Sequence, residues 1–200
     1  MRGVNGAKVT ILPFNYNPFD NLLRIIKSAK IEVSFRRNNS SNLITSSICW
    51  DNIYRNTFVN HSPSMRSPVA EKYLILTIPD DEDAIQYFAN YKQSIGYDVT
   101  VRTLGANERT PAAIKGIIQG KYNDPVTKPD YVLLVGDNPD IPPYEGDSLS
   151  LEIDSPITDV PYVFLDGDDY YRDALIGRWP VHSTPEIQVI TNKTIYMEMN

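Results

Sequence analysis

Residues 73–104 read YLILTIPDDEDAIQYFANYKQSIGYDVTVRTL. The first six, YLILTI, form an unbroken apolar run, the pattern of a strand covered on both faces. Acids crowd the next turn (Asp80, Asp81, Glu82, Asp83), where the positive end of a helix favours them. Ile85, Phe88 and Ile95 then recur at helical spacing and Gly96 supplies a stop, which predicts a helix over residues 81–95. Residues 97–104 alternate and predict a second strand. Strand, helix and strand in one short stretch imply a parallel pair joined by a right-handed crossover.

The unit continues outward in the same rhythm. Thr110 and Pro111 are a cap and a first-turn proline for a helix that turns Ile114, Ile117, Ile118 and Tyr122 inward. YVLLV at 131–135 is a second fully buried strand, ending in Gly136 and Asp137. A Pro- and acid-rich loop spans 138–158. Residues 162–165 and 174–179 are expected as two further strands. Ser183 and Glu186 form a capping box for a closing helix. The fold expected is α/β, a parallel sheet with helices on both faces. Before residue 72 the chain changes character. It is rich in Asn and Ser, with strand-like pieces at 8–12 and 22–35, although Leu22, Leu23, Ile25 and Ile26 also fit a helix. NNSSN at 38–42 reads as a turn. Two Ser-Pro pairs within residues 61–71 mark a linker. The organisation expected is a β-rich segment at 1–63, a linker at 64–71 and an α/β domain from 72 to 200.

Composition narrows the function. The 200 residues carry a net charge of −6 and no long basic cluster, Arg36-Arg37 being the longest. That excludes a nucleic-acid surface built on phosphate neutralisation. No apolar run reaches the ~18 residues of a membrane span, and no signal peptide is visible. Cys49 is the single cysteine, so no disulfide framework or Cys-rich zinc site exists, and its apolar setting is that of an inert core thiol. His61 and His182 are the only imidazoles. The sequons at Asn39, Asn60 and Asn192 match what an Asn- and Ser-rich chain gives by chance.

Asp166, Asp168, Asp169 and Asp173 fall within FLDGDDYYRD, directly after an apolar run. Either water solvates these charges or a cation is held among them. Ligands of open parallel sheets gather beyond the carboxyl ends of the strands, and Asp137 and Asp166 both follow expected strands. Hard cations such as calcium take six to eight oxygens, from carboxylates and from carbonyls of a tight loop. Asp169, Asp173 and a remote Asp137 fit that need. EF-hand spacing fails, because its glycine position holds Tyr171. No dinucleotide or Walker motif is present. Asp166-Gly167-Asp168 resembles the D-x-D opening of haloacid-dehalogenase phosphatases, but the chain after it is too short for that family's later motifs.

Residues 73–104, PAAIKGIIQGKYND (111–124), PDYVLLVGDNPDIPP (129–143), TDVPYVFLDGDDYYRDALIGRWPV (158–181) and TPEIQVITNKTIYME (184–198) resemble, in order, the start of the catalytic domain of gingipain-type cysteine peptidases. ILPFNYNPFDNLLRIIKSAKIEVSF (11–35) and IYRNTFVN (53–60) are similar to the end of their propeptide. The resemblance implies a caspase-like, Rossmann-like α/β sandwich preceded by a propeptide-like segment, secreted or at the cell surface. It implies a structural calcium site with carboxylates from Asp137, Asp169 and Asp173 and main-chain carbonyls from Asp166 and Tyr171. It also implies that the catalytic His, in a His-Gly motif, and the Cys nucleophile lie beyond residue 200, since His61 and His182 each precede a Ser and Cys49 lies in the propeptide-like part. The chain alone is then expected to hydrolyse nothing. A polypeptide substrate belongs to the complete enzyme, and the open sheet edge is expected to pair with the missing part or with a second copy. Ser64-Met65-Arg66-Ser67 would be the maturation cut. Two alternatives stand beside this reading: a non-catalytic calcium-binding scaffold, and a magnesium phosphohydrolase using Asp166 and Asp168.

Overall fold

In the computed structural model the described residues are 6–32, 48–60, 70–146 and 156–199. Those from 48 onward form one unit, and residues 6–32 belong to another. The turn expected at 38–42, His61, Arg36-Arg37 and the cut at Arg66 lie outside the described residues.

The larger unit is built on a parallel sheet. Strand β3 (Lys72–Thr77) pairs with β4 (Asp98–Thr103) on one side and with β5 (Tyr131–Val135) on the other, and β5 pairs with β8 (Leu175–Trp179). The order is β4-β3-β5-β8. Alternation along each strand splits the core in two. Leu74, Leu76, Val132 and Leu134 face helix α3 (Pro111–Asn123) through Ile114, Ile118 and Tyr122. Ile75, Leu133 and Val135 face helix α2 (Glu82–Ser94) through Ile85, Phe88 and Ala89, and helix α4 (Thr184–Met199) through Ile187. Helices therefore cover both faces, as the continuous apolar strands demand.

The local signals act as read at most joints. The Thr110 hydroxyl accepts from the Ala113 N–H at 3.3 Å. Gly96 sits at φ +103°, where a side chain would be strained. Ile95 differs from expectation: it follows the last helical residue as the C-cap of α2 and is 49% exposed, not a core position. Glu186 reaches back one residue further than a capping box, accepting from the His182 N–H at 2.7 Å.

Residues 162–165 are not a strand. Val160–Val163 is a 3-10 turn whose Tyr162 and Val163 are buried in the α3-side core. Pro161 lacks the N–H a sheet ladder needs, and Asp173 rather than a neighbouring strand bonds Val163, its N–H donating to the Val163 carbonyl at 2.8 Å. The preceding loop holds a short hairpin, β6 (Tyr144–Glu145) with β7 (Ile157–Thr158).

Before β3 lies helix α1 (Ile48–Thr57), which the sequence did not announce. Trp50 and Tyr54, one turn apart, are 1% and 2% exposed, with rings 5.9 Å apart. The other tryptophan, Trp179, closes β8 against Phe88 at 4.7 Å. Lys92 is buried on α2, its ammonium 2.6 Å from the Glu198 carboxylate and 4.9 Å from the centre of the Tyr97 ring.

The described residues of the smaller unit hold an antiparallel hairpin, β1 (Phe14–Asn17) with β2 (Leu22–Ile25). Asn21 at the turn has φ +49°. The strand expected at 8–12 is absent, and the one expected over 22–35 is confined to Leu22–Ile25 within the described residues.

Candidate functional site at the two ends of the sheet

The register fixes which acids can meet. Val135 lies opposite Trp179 and Tyr131 opposite Leu175. Asp137 follows β5 and stands beyond the carboxyl ends of the strands. Asp173 precedes β8 and stands beyond their amino ends. The five residues of β8 separate them, roughly 17 Å at ~3.3 Å per residue. The 3-10 turn is the cause: the chain runs back down the sheet before the acidic loop, so the loop emerges at the end opposite to Asp137.

Within that loop Asp173 is an anchor. Its carboxylate is fully buried and accepts from the Leu165 and Asp166 N–H groups, both at 2.9 Å. Asp169 accepts from the Tyr171 N–H at 2.8 Å, a tight Asx turn. Gly167 at φ +81° lets the chain reverse, and Gln119 of α3 donates to the Leu165 carbonyl at 2.9 Å. Asp168, Asp169 and Tyr171 face water and Asp166 is half-buried. Four of the five expected calcium ligands thus share one loop with hard oxygen donors, and Asp137 does not join them. Among the described residues no three His, Cys, Asp or Glu side chains converge as a metal-holding group. The set does not fit an ion as a whole; the loop's four members fit one in ligand type.

The carboxyl ends hold a different array. β3 and β5 are neighbours whose chains leave in opposite directions, the switch point where open sheets bind ligands. Asp137 bonds the Asn138 N–H at 2.8 Å and lies 3.4 Å from His182 Nε2. Arg178, half-buried in β8, grips both oxygens of Asp159 at 2.8 and 2.7 Å. It also donates to the Gly136 and Ile141 carbonyls, each at 2.8 Å. Arg109 pairs with Asp140 at 2.7 Å. Burial first, and then the nearby Asp140 and Asp80, push the Asp81 carboxyl above its usual range.

Cys49 belongs to the amino end. It is partly buried and lies in the first turn of α1, its N–H donating to Glu71 Oε1 at 2.7 Å. The Tyr131 hydroxyl donates to Glu71 Oε2 at 3.1 Å. Burial, and after it the Cys49 thiol and Glu71, raise the Tyr131 phenol well above its ordinary range. Cys49 and His182 therefore occupy opposite ends of the sheet and form no thiol–imidazole pair. Sequence reasoning missed Glu71 and Arg178. A charged residue inside the apolar strand LIGRW was the available signal for Arg178; Glu71 had none.

Two family models match the chain: peptidase family C25 over residues 66–200 and the C25 propeptide over residues 1–68. Among curated proteins, gingipain R2 of Porphyromonas gingivalis is 28% identical over 211 aligned positions, covering 100% of this chain and 28% of the relative. Gingipain R1 of the same organism is 27% identical, covering 100% of this chain and 20% of the relative. Lys-gingipain is 27% identical, covering 99% and 12%. Among solved structures, the Arg-specific cysteine proteinase gingipain R (RgpB) aligns with TM-score 0.53 at 26% identity, over 63% of this chain and 28% of that chain. The complex of Porphyromonas gingivalis RgpB pro- and mature domains aligns with TM-score 0.53 at 27% identity, over 62% and 28%. The chain spans less than a third of the length of these relatives.

Proposed function

The chain belongs to peptidase family C25, and we propose that it is the junction of a gingipain-like cysteine endopeptidase precursor, joining the end of the propeptide to the first part of the catalytic domain. The observation that carries this reading is the seam between the two matched segments at residues 66–68, just before β3 opens the sheet. Thiolate catalysis needs a cysteine beside an imidazole. Among the described residues Cys49 and His182 stand at opposite ends of β8 and β5, which supports the reading that the chain by itself leaves peptide bonds intact. The catalytic pair, the polypeptide substrate and a secreted or cell-surface location belong to the complete enzyme. Turnover of Arg- or Lys-containing peptides by the purified chain, abolished by Cys49→Ala, would sink the proposal. A reading frame that continues into a His-Gly motif and a further Cys separates it from a free-standing scaffold.

The same reading gives the loop at 165–173 to calcium, through the Asp169 and Asp173 carboxylates and the Asp166 and Tyr171 carbonyls, without Asp137. The ion would stiffen the loop and supply no chemistry. Unfolding is compared in EDTA, calcium and magnesium. A ligand at ~100 times its dissociation constant adds about 2.7 kcal/mol. The expected rise is selective for calcium, lost in Asp169→Asn and kept in Asp137→Asn. Loss in Asp137→Asn would restore the five-ligand set. A magnesium phosphohydrolase is disfavoured because Asp166 and Asp168 lie at the amino end of the sheet, away from the switch point. Among the described residues the outer strands β4 and β8 each leave one row of main-chain groups outside the ladder, which is what pairing with further chain or a second copy uses. No helix among the described residues is long and apolar enough to cross a membrane.

A further inference from the structure

Helix α1 lies inside the segment matched by the propeptide model, and Glu71 lies inside the segment matched by the peptidase model. Their contact is polar and specific. The first-turn N–H groups of a helix have no partner within it, and the helix end carries a partial positive charge. Glu71 Oε1 accepts from the Cys49 N–H at 2.7 Å. The second oxygen is held by the Tyr131 hydroxyl at 3.1 Å, so the carboxylate is aimed from both sides.

The support beneath it is rigid. The Glu71 carbonyl accepts from the Asp98 N–H at 2.9 Å, at the start of β4. The next residue, Lys72, donates its N–H to the Asp130 carboxylate at 2.8 Å. Tyr131 is stacked on Tyr73 at 5.5 Å, and Tyr97 meets both rings edge-on at 5.8 Å. Three strand ends thus fix one carboxylate against one helix terminus.

We propose that Glu71 is the residue by which the peptidase part recognises and retains the propeptide helix once the chain has been cut between residues 61 and 69. Recognition is of the helix main chain at its amino terminus. The contact outlasts the covalent link. This rests on the reading of the chain as propeptide joined to peptidase, but its test does not depend on any peptidase activity.

The test uses the full chain with a site-specific protease sequence placed within residues 61–69. After cutting, the two pieces are diluted in series and separated by size-exclusion chromatography. Wild-type pieces should co-elute at micromolar concentration. Removing a charged hydrogen-bond acceptor corresponds to a roughly ten- to hundredfold weaker association, so cut Glu71→Ala should part at concentrations where wild type holds. Uncut Glu71→Ala should still unfold cooperatively. If it does not fold, Glu71→Gln, which keeps an acceptor and loses the charge, should part at several-fold higher concentration than wild type. Separation of the wild-type pieces at micromolar concentration overturns the proposal, and so does equal affinity of the variant that folds. Either failure leaves the family membership standing, because that rests on the matching family models, and leaves the precursor reading standing, because that is decided by the continuing reading frame.

Discussion

Replacing Arg178 with alanine removes four hydrogen bonds at once, and the structure sets the expected cost. The guanidinium and the Asp159 carboxylate are 14% and 21% exposed. Two bonds go to the Asp159 oxygens and two to the Gly136 and Ile141 carbonyls. Breaking a buried pair by removing one partner costs about 3–5 kcal/mol, because the other charge is stranded. Residual solvent at Asp159 places Arg178→Ala near the lower end, at about 3 kcal/mol. For a chain of this size each kcal/mol moves the midpoint by about 2–4 °C, so the thermal midpoint should fall by roughly 6–12 °C. Asp159→Asn keeps the two carbonyl bonds and should cost about half as much. Arg178→Lys loses the planar fork and should fall between the two. The assay is thermal unfolding followed by far-UV circular dichroism, with urea titration to check that the slope is unchanged. A fall under ~2 °C for Arg178→Ala would refute the argument. Asp159→Asn matching Arg178→Ala would show that the carbonyl bonds contribute nothing.

Three further outcomes follow from the same structure. Lys92→Ala removes the partner of Glu198, whose side chain is 33% exposed, and opens the space beneath Tyr97, and urea unfolding should show a loss of about 1–3 kcal/mol; the pair Lys92→Met with Glu198→Gln should recover most of it. Gly136 has φ +137°, and a Cβ there would lie 3.4 Å from Ile141 Cγ1, so Gly136→Ala should lower stability by about 1–3 kcal/mol in the same assay. Asp81 is held above its ordinary carboxyl range by burial and by Asp140 and Asp80, so the folded state binds its proton more tightly than the unfolded state does. Its unfavourable contribution is absent below the unfolded value and grows as pH rises through the folded one. Asp81→Asn should therefore raise the midpoint at pH 7, with the gain shrinking toward pH 4; a lower midpoint at pH 7 would contradict the sign.

What the residues themselves disclosed depended on how local the cause was. YLILTI and YVLLV are apolar throughout because both faces of β3 and β5 are covered, and that needs no knowledge of the partners. Thr110, Pro111 and Gly96 act on their own neighbours, so the ends of α2 and α3 were readable. ICWDNIYRNT carries Asn and Thr, poor helix formers, and its helical signal was only the Trp50–Tyr54 spacing. YVFL at 162–165 has strand composition, but Pro161 and the return of the chain toward Asp173 decide otherwise. That single difference moved the acidic loop from one end of the sheet to the other and separated Asp137 from it. Spacing in sequence says that aspartates are near one another; it does not say which end of a strand they occupy. Glu71 with Cys49 and Tyr131, Lys92 with Glu198, and Arg178 with Asp159 are pairings over 19 to 106 positions, and no local pattern encodes them.

The two tryptophans of the chain divide its emission spectrum between its two family segments. Trp50 is sealed in the helix of the propeptide segment and Trp179 closes β8 of the peptidase segment beside Phe88. A Trp179→Phe variant therefore glows only from the helix, and a Trp50→Phe variant only from the sheet. Red-shift and quenching of one dye-free signal while the other holds would time the helix's departure separately from the melting of the domain, in a single cuvette.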